Sequence, residues 1–459
     1  MPPTATDAST KDPWLPKGTA DAKQPDLLRY TLADLVPQDE GHPDASGLQF
    51  HLLSFEGPDA YARIGGLATR ILGLSEALSH RGIETHLWFV GDPAHPGHES
   101  RGSLHLHRWC QWISAWHPDG CYDGDEAKAS DYTRSLPPYL LEQSLLPWLE
   151  AGGRSVVLAE EWQTVGAVLA LDAELRRLGL REQVAILWNA NNIFGFDRVP
   201  WSDLDKAARI TAVSRFMKHE LSGHGVEALV IPNGLGPESY LPAEPKALGR
   251  MRRLCGDRLV LTKMARWDPD KRWLGAVETV AGLKDAGWNP LLVARGGREP
   301  HGVEVLQAME DQGLRIATRS QSTGLDGLLD SFEALDGVDV LHLTNHVGPS
   351  ERAVLFRGSD AVLANSSFEP FGLVGLEVMA VGGIACTGAT GEDYAMAGHN
   401  ALVLESGEAV EFLALYERLR RDPRERDAMR RAGRQTARRF AWDEVIDRNL
   451  MPRLELATH

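Results

Sequence analysis

The sequence predicts an α/β protein built from two doubly wound domains, and two observations support this. In both halves of the chain, short apolar segments typical of buried strands alternate with segments whose apolar residues recur at helical spacing. Such alternation is typical of parallel sheets with helices on both faces. A stretch containing Pro237, Pro242 and Pro245 separates the halves and favours a domain boundary there.

Composition limits the class of protein. The chain has 459 residues, 43% hydrophobic and 24% charged, so we expect a globular protein of two or three domains. Its net charge of −16 argues against non-specific binding of nucleic acid or of an anionic membrane. No apolar run reaches the ~18 residues of a membrane helix, and the N-terminus lacks the layout of a signal peptide. We therefore expect a cytoplasmic protein without an integral membrane segment.

The predicted organisation has five parts: a flexible arm over 1–47, an N-terminal domain over 48–236, a linker over 237–248, a second domain over 249–440 and a C-terminal amphipathic helix over 441–459. The four cysteines have neither a CxxC pair nor metal-ligand spacing. We expect buried free thiols and no metal site, with a Cys110–Cys121 disulfide as the minor alternative.

The first half opens with a strand–helix–strand unit. A strand begins at Leu48, a helix of period 3.6 follows, and a second strand ends near Val90. The turn into the helix contains Gly65 and Gly66. Two glycines at the carboxyl end of a strand allow close backbone approach to a ligand, although a plain tight turn is equally consistent with them. Aromatic residues crowd the segment from Trp109 to Trp148, which is either an irregular segment packed on the sheet or a wall for sugar rings.

The second half carries two groups of polar residues after predicted strands. Arg266 and Lys271 follow the strand RLVLTK, and cations at a strand end suit a diphosphate leaving group. The alternative for this pair is two solvated surface cations.

The string EPFGLVGLE follows a later strand and begins with Glu369. Pro370 disfavours helix before it, and a turn at Gly372 leads into a helix whose first N–H groups can bind an anion. This layout fits a sugar nucleotide, with Glu369 for sugar hydroxyls, the N–H groups for the diphosphate and Glu377 for the ribose. The alternative is a strand, a turn and a helix with two exposed glutamates.

EPFGLVGLE resembles the donor-site signature of the retaining glycosyltransferases of the GT-B fold, and of glycosyltransferase family 4 in particular, with glycogen and starch synthases as relatives. The arginine and lysine five residues apart, Arg266 and Lys271, resemble that group as well. The resemblance covers roughly Leu48 to Leu456. It implies two Rossmann-like domains that face each other across a cleft, with the last helix returning to the first domain.

The resemblance also implies an activity. This activity is the transfer of a hexose from a nucleotide-diphosphate sugar to a hydroxyl of a saccharide or small polar acceptor. The configuration at the anomeric carbon is retained, and neither a metal nor a cofactor is needed. The implied catalytic residues are Glu369, Arg266 and Lys271. The implied substrate-binding residues, including those whose N–H groups face the diphosphate, are Gly65, Gly66, Asn189, Phe371, Gly372, Leu373, Val374 and Glu377.

Two strand ends in the first half depart from the family pattern. Glu160 and Glu161 stand where relatives carry a His-Asp run, and Asn189 stands at the position of a histidine near the donor sugar. An asparagine can hydrogen-bond a hydroxyl but does not titrate near neutrality. We therefore expect Asn189 to contact the sugar without acting as an acid or base.

Three other functions are compatible with parts of the pattern. A sugar-nucleotide 2-epimerase of the same fold would convert the donor without an acceptor, and a non-catalytic sensor would bind the donor without turnover. A glycosidase would also use two carboxylates but would leave Arg266 and Lys271 without a phosphate. A nicotinamide dehydrogenase is disfavoured because no GxGxxG follows the first strand.

Overall fold

The structure is a computed structural model that describes residues 47–388, 390–406 and 408–456. The arm predicted over 1–47 lies outside these residues except for Gly47. Within the described ranges, none of the helices combines the length and the apolar character needed to cross a membrane.

An eight-stranded sheet forms the N-terminal half. Its strands are β1 (Leu48–Leu53), β2 (Glu84–Val90), β3 (His98–Arg101), β4 (Leu104–Trp109), β5 (Arg154–Glu160), β6 (Val184–Ala190), β7 (Arg209–Ala212) and β8 (Leu229–Val230). Their order is β3-β4-β2-β1-β5-β6-β7-β8, and only the β3–β4 pair is antiparallel. All six residues of the central strand β1 are buried, as expected for a sheet covered on both faces.

The helices of this half are α1 (Gly66–His80), α2 (Gln111–Ser114), α3 (Asp125–Leu140), α4 (Leu146–Glu150), α5 (Val165–Leu178), α6 (Trp201–Ala207) and α7 (Arg215–Ser222). The predicted helix between the first two strands is confirmed as α1. The segment from Trp109 to Trp148 is not irregular, as one of the two interpretations expected, because α3 and a π-helical turn over Leu141–Leu145 occupy much of it. Pro137 and Pro138 lie inside the last turn of α3, and the chain continues directly into the π-helical turn and α4, so these prolines do not mark irregular backbone.

A seven-stranded parallel sheet forms the second half. Its strands are β9 (Leu259–Met264), β10 (Pro290–Arg295), β11 (Ile316–Arg319), β12 (Val340–Leu343), β13 (Ala361–Ala364), β14 (Ala385–Thr387) and β15 (Leu402–Val403), in the order β11-β12-β10-β9-β13-β14-β15. Its helices are α8 (Pro245–Cys255), α9 (Trp273–Asp285), α10 (His301–Asp311), α11 (Leu325–Asp330), α12 (Pro349–Gly358), α13 (Leu373–Ala380), α14 (Ala409–Arg421) and α15 (Pro423–Arg438). The predicted fold class of two doubly wound domains is confirmed.

The described residues end with α16 (Trp442–Val445), a π-helical turn and α17 (Met451–Leu456), and this segment packs on the first half. The Trp442 N–H donates to the Leu235 carbonyl at 3.2 Å. A Cβ added to Gly73 or Gly234 would overlap the Trp442 indole, so close packing explains both glycines. The exact domain bounds given above stay predictions. All four cysteines are buried and free, which confirms the expectation of thiols.

Candidate active site

Two loops of the second half bring the predicted donor residues together. One follows β9 and the other follows β13, and these strands are parallel neighbours, so both loops leave the same edge of the sheet. The Ser367 N–H donates to the Asp270 carbonyl at 2.8 Å, which fixes one loop against the other. Lys271 Nζ lies 3.3 Å from Glu369 Oε1, and both side chains remain partly accessible to solvent.

Arg266 is held less firmly than Lys271. Its guanidinium lies 3.5 Å from the Asp268 carboxylate, and more than half of its side chain is exposed. Asp268 also accepts from the Asp270 N–H, at 3.2 Å, and so begins the short helical turn Pro269–Lys271. The turn thus presents Lys271 toward Glu369 while Arg266 stays free to reorient.

The turn before α13 has the geometry expected of an anion site. Gly372 has φ of +79°, a left-handed conformation that favours glycine, and α13 begins directly after it at Leu373. The first N–H groups of the helix, including that of Val374, have no acceptor within the helix. Phe371 is buried against Tyr394, and the Tyr394 hydroxyl donates to the Gly372 carbonyl, so packing holds the turn in place.

Glu377 lies one turn further along α13 and pairs with Arg352 of α12 at 3.0 Å. Burial raises the pKa of Glu377 above its usual value, and the charge of Arg352 opposes that shift. The sequence analysis did not identify Arg352. Nothing around residue 352 in the sequence marks it, because the contact with Glu377 arises from the packing of α12 against α13.

Gly65 and Gly66 begin α1 at the carboxyl end of β1. A Cβ added to either glycine would meet no protein atom within 4 Å, so packing does not require glycine here. The space fits close approach by a ligand. The Glu56 carboxylate accepts from the Gly65 N–H at 2.9 Å and from the Ala68 N–H at 3.0 Å, and so occupies part of the helix N-terminus.

A buried network lies behind these glycines. Arg70 of α1 donates to Glu160 at 3.0 Å and to Asn233 at 2.9 Å, and both members of the Arg70–Glu160 pair have no solvent exposure. Asn189 donates to Glu160 at 2.8 Å and accepts from Thr211 at 2.9 Å, and it too is fully buried. In this conformation the Asn189 amide therefore supports a carboxylate, and the predicted contact with a sugar stays a prediction.

Glu161 combines strain with a perturbed charge. Its φ of 68° and ψ of 167° lie in a region that is essentially reserved for glycine and costs about 1–3 kcal/mol. Burial raises the pKa of Glu161 to about 8, against the opposing hydrogen bond from the Asn191 N–H at 2.7 Å. Strained backbone and shifted carboxyl groups concentrate at functional sites. The sequence analysis noted Glu161 only as a departure from a pattern, since backbone strain has no local sequence signal.

The two halves touch beside Glu369. The ring of Phe216 on α7 lies 5.5 Å from that of Phe368, the residue immediately before Glu369. Arg215 donates to Asp393 at 3.3 Å, across the same boundary. The loop that carries Glu369 therefore reaches the N-terminal half.

Comparison with known proteins agrees with this architecture. The family model described as "Glycosyl transferases group 1" matches residues 255–436. No curated protein matches the sequence.

Solved structures with similar folds include the following three. Sucrose-phosphate synthase from Thermosynechococcus elongatus is 16% identical, with a TM-score of 0.60, over 87% of this chain and 96% of that one. The catalytic domain of starch synthase IV from Arabidopsis thaliana, bound to ADP and acarbose, is 14% identical, with a TM-score of 0.63, over 90% and 99%. HepE from Anabaena, in complex with UDP and glucose, is 14% identical, with a TM-score of 0.57, over 90% and 100%.

At these identities the structural likeness shows the fold, which is GT-B. The family match falls on the half that contains Lys271, Glu369 and Glu377. The chain therefore has the GT-B fold, and its residues 255–436 match the group 1 glycosyl transferases.

Proposed function

We propose that the protein transfers a hexose from a nucleotide-diphosphate sugar to a hydroxyl acceptor, a saccharide or a small polar metabolite, with retention and without a metal ion. The observation that carries the proposal is the contact between Lys271 and Glu369 beside the N-terminus of α13. It places a cation, a carboxylate and helix N–H groups within one short stretch of the domain edge.

Each group has a part in bond cleavage. Lys271, Arg266 and the N–H groups of α13 stabilise the negative charge that develops on the departing diphosphate. Glu369 leaves its ion pair with Lys271 to bind sugar hydroxyls near the anomeric carbon. The Lys271 ammonium is then available to the phosphate, so donor binding replaces the Lys271–Glu369 ion pair with a Lys271–phosphate ion pair and with hydrogen bonds from sugar hydroxyls to Glu369.

Glu377 holds the ribose hydroxyls, and Arg352 positions its carboxylate for that task. A nucleoside diphosphate as leaving group is supported by the two neighbours solved with ADP and with UDP. Retention rests on the resemblance of EPFGLVGLE to retaining enzymes. The acceptor hydroxyl attacks from the same face as the leaving group, and the departing phosphate takes its proton.

The acceptor enters over Gly65 and Gly66. A Glu161 carboxyl that is largely protonated at neutral pH offers an O–H donor to an acceptor or sugar oxygen.

The first experiment is a thermal-shift screen with UDP-, ADP- and GDP-sugars, followed by donor turnover with and without saccharide acceptors. Nuclear magnetic resonance of the product reports the anomeric configuration. Stabilisation by one donor class, acceptor-dependent turnover unaffected by EDTA, and a retained configuration are expected. Conversion of the donor without any acceptor, an inverted product or strict magnesium dependence would each contradict the proposal.

A further inference from the structure

Histidines form a row across the first sheet, and two of them, His86 and His105, lie near the amino ends of their strands. His51 on β1, His86 on β2 and His105 on β4 are direct neighbours in the strand register. The rings of His51 and His86 stack at 4.8 Å, and those of His86 and His105 stack at 4.7 Å. The transfer site lies at carboxyl ends of strands, so this row is a separate feature of the molecule.

Glu84 completes a group of possible metal ligands. It stands two residues before His86 on β2 and therefore faces the same side of the sheet. Its Oε1 lies 2.5 Å from His105 Nε2. One ligand atom each from Glu84, His86 and His105 lies within 4.8 Å of the others. The side chains of Glu84 and His105 are 37% and 20% exposed, which gives an ion access from solvent.

Further side chains fix the orientation of the two imidazole rings. The Ser100 hydroxyl lies 2.8 Å from His105 Nδ1. The Gln49 amide nitrogen, a donor, lies 3.1 Å from His86 Nε2 and would have to release that nitrogen for metal binding, whereas His107 Nε2 lies 3.0 Å from His86 Nδ1 and would remain its partner. Partners of this kind set the tautomer and direction of ligating histidines in metal proteins. The group thus has supporting contacts in addition to its three possible ligands.

We propose that Glu84, His86 and His105 bind a divalent first-row transition metal ion, with zinc as the representative ion. Two imidazoles and one carboxylate are a donor set that suits zinc, whereas magnesium and calcium favour oxygen ligands. Metal–ligand distances of about 2.0–2.2 Å require ligand atoms roughly 3.4 Å apart. Metal binding therefore requires the Glu84 and His105 ligand atoms to separate from 2.5 Å, and the longer separations in the group, up to 4.8 Å, to shorten.

When the lone pair of His105 Nε2 bonds to the ion, the neutral ring carries its proton on Nδ1, which donates to the Ser100 oxygen. This change of tautomer breaks the hydrogen bond between His105 Nε2 and Glu84, and the Glu84 carboxylate bonds to the ion instead, with no net release of a proton. No electron is transferred. The bound ion would join β2 to β4 beside the edge strand β3, so its role is to stabilise this part of the sheet and is independent of sugar transfer.

The test uses the full chain without a polyhistidine tag. The protein is dialysed against zinc chloride and then against metal-free buffer, and retained zinc is measured by atomic emission. One zinc ion per chain is expected for the wild type, and magnesium treated in the same way is expected to be lost. Ser100→Ala is expected to weaken zinc binding by about 10–100-fold in a competition titration with a chelator dye.

Glu84→Gln and His105→Gln are expected to abolish retention, and His399→Gln, an exposed histidine of the second half, is the matched control. Circular dichroism and nucleotide binding by the second half verify that each variant is folded. Glu84 is partly exposed at the start of its strand, so Glu84→Gln is the variant least at risk of misfolding. Absence of retained zinc in the wild type, or equal retention in folded Glu84→Gln and wild-type protein, would overturn the proposal.

Discussion

The donor edge of the second half and the facing edge of the first half each carry two carboxylates, but the surroundings of those carboxylates differ. Glu369 and Glu377 each pair with one cation and remain partly exposed. Glu160 is fully buried, and its charge is balanced by the equally buried Arg70, while Glu161 sits beside it on strained backbone.

This difference separates two tasks. A carboxylate at the donor edge can exchange its cation for a ligand at little cost in free energy, because its ion pair is partly exposed to solvent. Glu160 cannot do so, because loss of its partner would leave an unpaired charge in the interior. We infer that the donor edge changes partners during turnover, whereas the buried pair holds the facing edge in shape.

Replacement of Glu369 by alanine is the strongest test of the donor edge. Transfer is expected to fall by about 10²–10³-fold, because the reacting sugar loses a group that orients it near the anomeric carbon. Steady-state kinetics against Glu304→Ala, an exposed glutamate on α10, measure the effect. Unchanged turnover in the Glu369 variant would remove its assigned role.

Replacement of Arg70 by methionine tests the opposite edge through stability. The variant leaves Glu160 buried without its cation, so the free energy of unfolding is expected to fall by about 3–5 kcal/mol. Arg421→Met is the control, because its pair with Glu417 one turn earlier on α14 is surface-exposed and worth roughly 0.3–0.5 kcal/mol. Urea unfolding monitored by circular dichroism distinguishes them, and equal losses would contradict the contrast between the edges.

Replacement of Lys271 by alanine is expected to weaken binding of the preferred nucleoside diphosphate by about 10–100-fold, since a charge-assisted hydrogen bond contributes ~1.5–3 kcal/mol. Titration calorimetry measures this against Lys218→Ala, a surface lysine of α7. Because Lys271 contacts Glu369, the double variant is expected to be non-additive. A variant that loses acceptor binding alone would place Lys271 elsewhere in the reaction.

The pH dependence of stability tests Glu161. The folded pKa of about 8 exceeds the ~4.3 expected for an unfolded glutamate, so folding favours the neutral form. The stability that the neutral Glu161 carboxyl contributes is fully present below the unfolded pKa and is lost as the pH rises through the folded pKa. The loss is up to about 1.4 kcal/mol per pH unit.

Glu161→Gln is expected to flatten the dependence of the free energy of unfolding on pH between pH 5 and pH 8, as measured with urea. This range lies between the unfolded pKa of ~4.3 and the folded pKa of about 8. Glu304→Gln should leave the slope unchanged. Parallel profiles for the wild type and Glu161→Gln would show that Glu161 titrates normally in the folded protein.

Local patterns predicted most of the fold and part of the site. Strand and helix periodicity identified β1, α1 and β9, and the turn chemistry at Gly372 identified the start of α13. The short edge strands β3 and β15 were not predicted, because strands of four and two residues are too short to show the alternation of apolar and polar residues.

What the sequence could not predict depends on contacts between distant segments. Arg352 reaches Glu377 across 25 positions, and Arg70 reaches Glu160 across 90. The proposed metal ligands are invisible for the same reason, since His86 and His105 become neighbours only through strand pairing. Local spacing rules describe ligands on one element, whereas these come from two.

The ring contact between Phe216 and Phe368 links the donor loop to the opposite half of the molecule. If donor binding favours the arrangement in which these rings touch, thermodynamic reciprocity requires that the contact favour donor binding by the same factor. Phe216 would then contribute to donor affinity without touching the donor. The N-terminal half would thereby act as an effector of donor binding by the second half, and substitutions at the interface between the halves would change donor affinity.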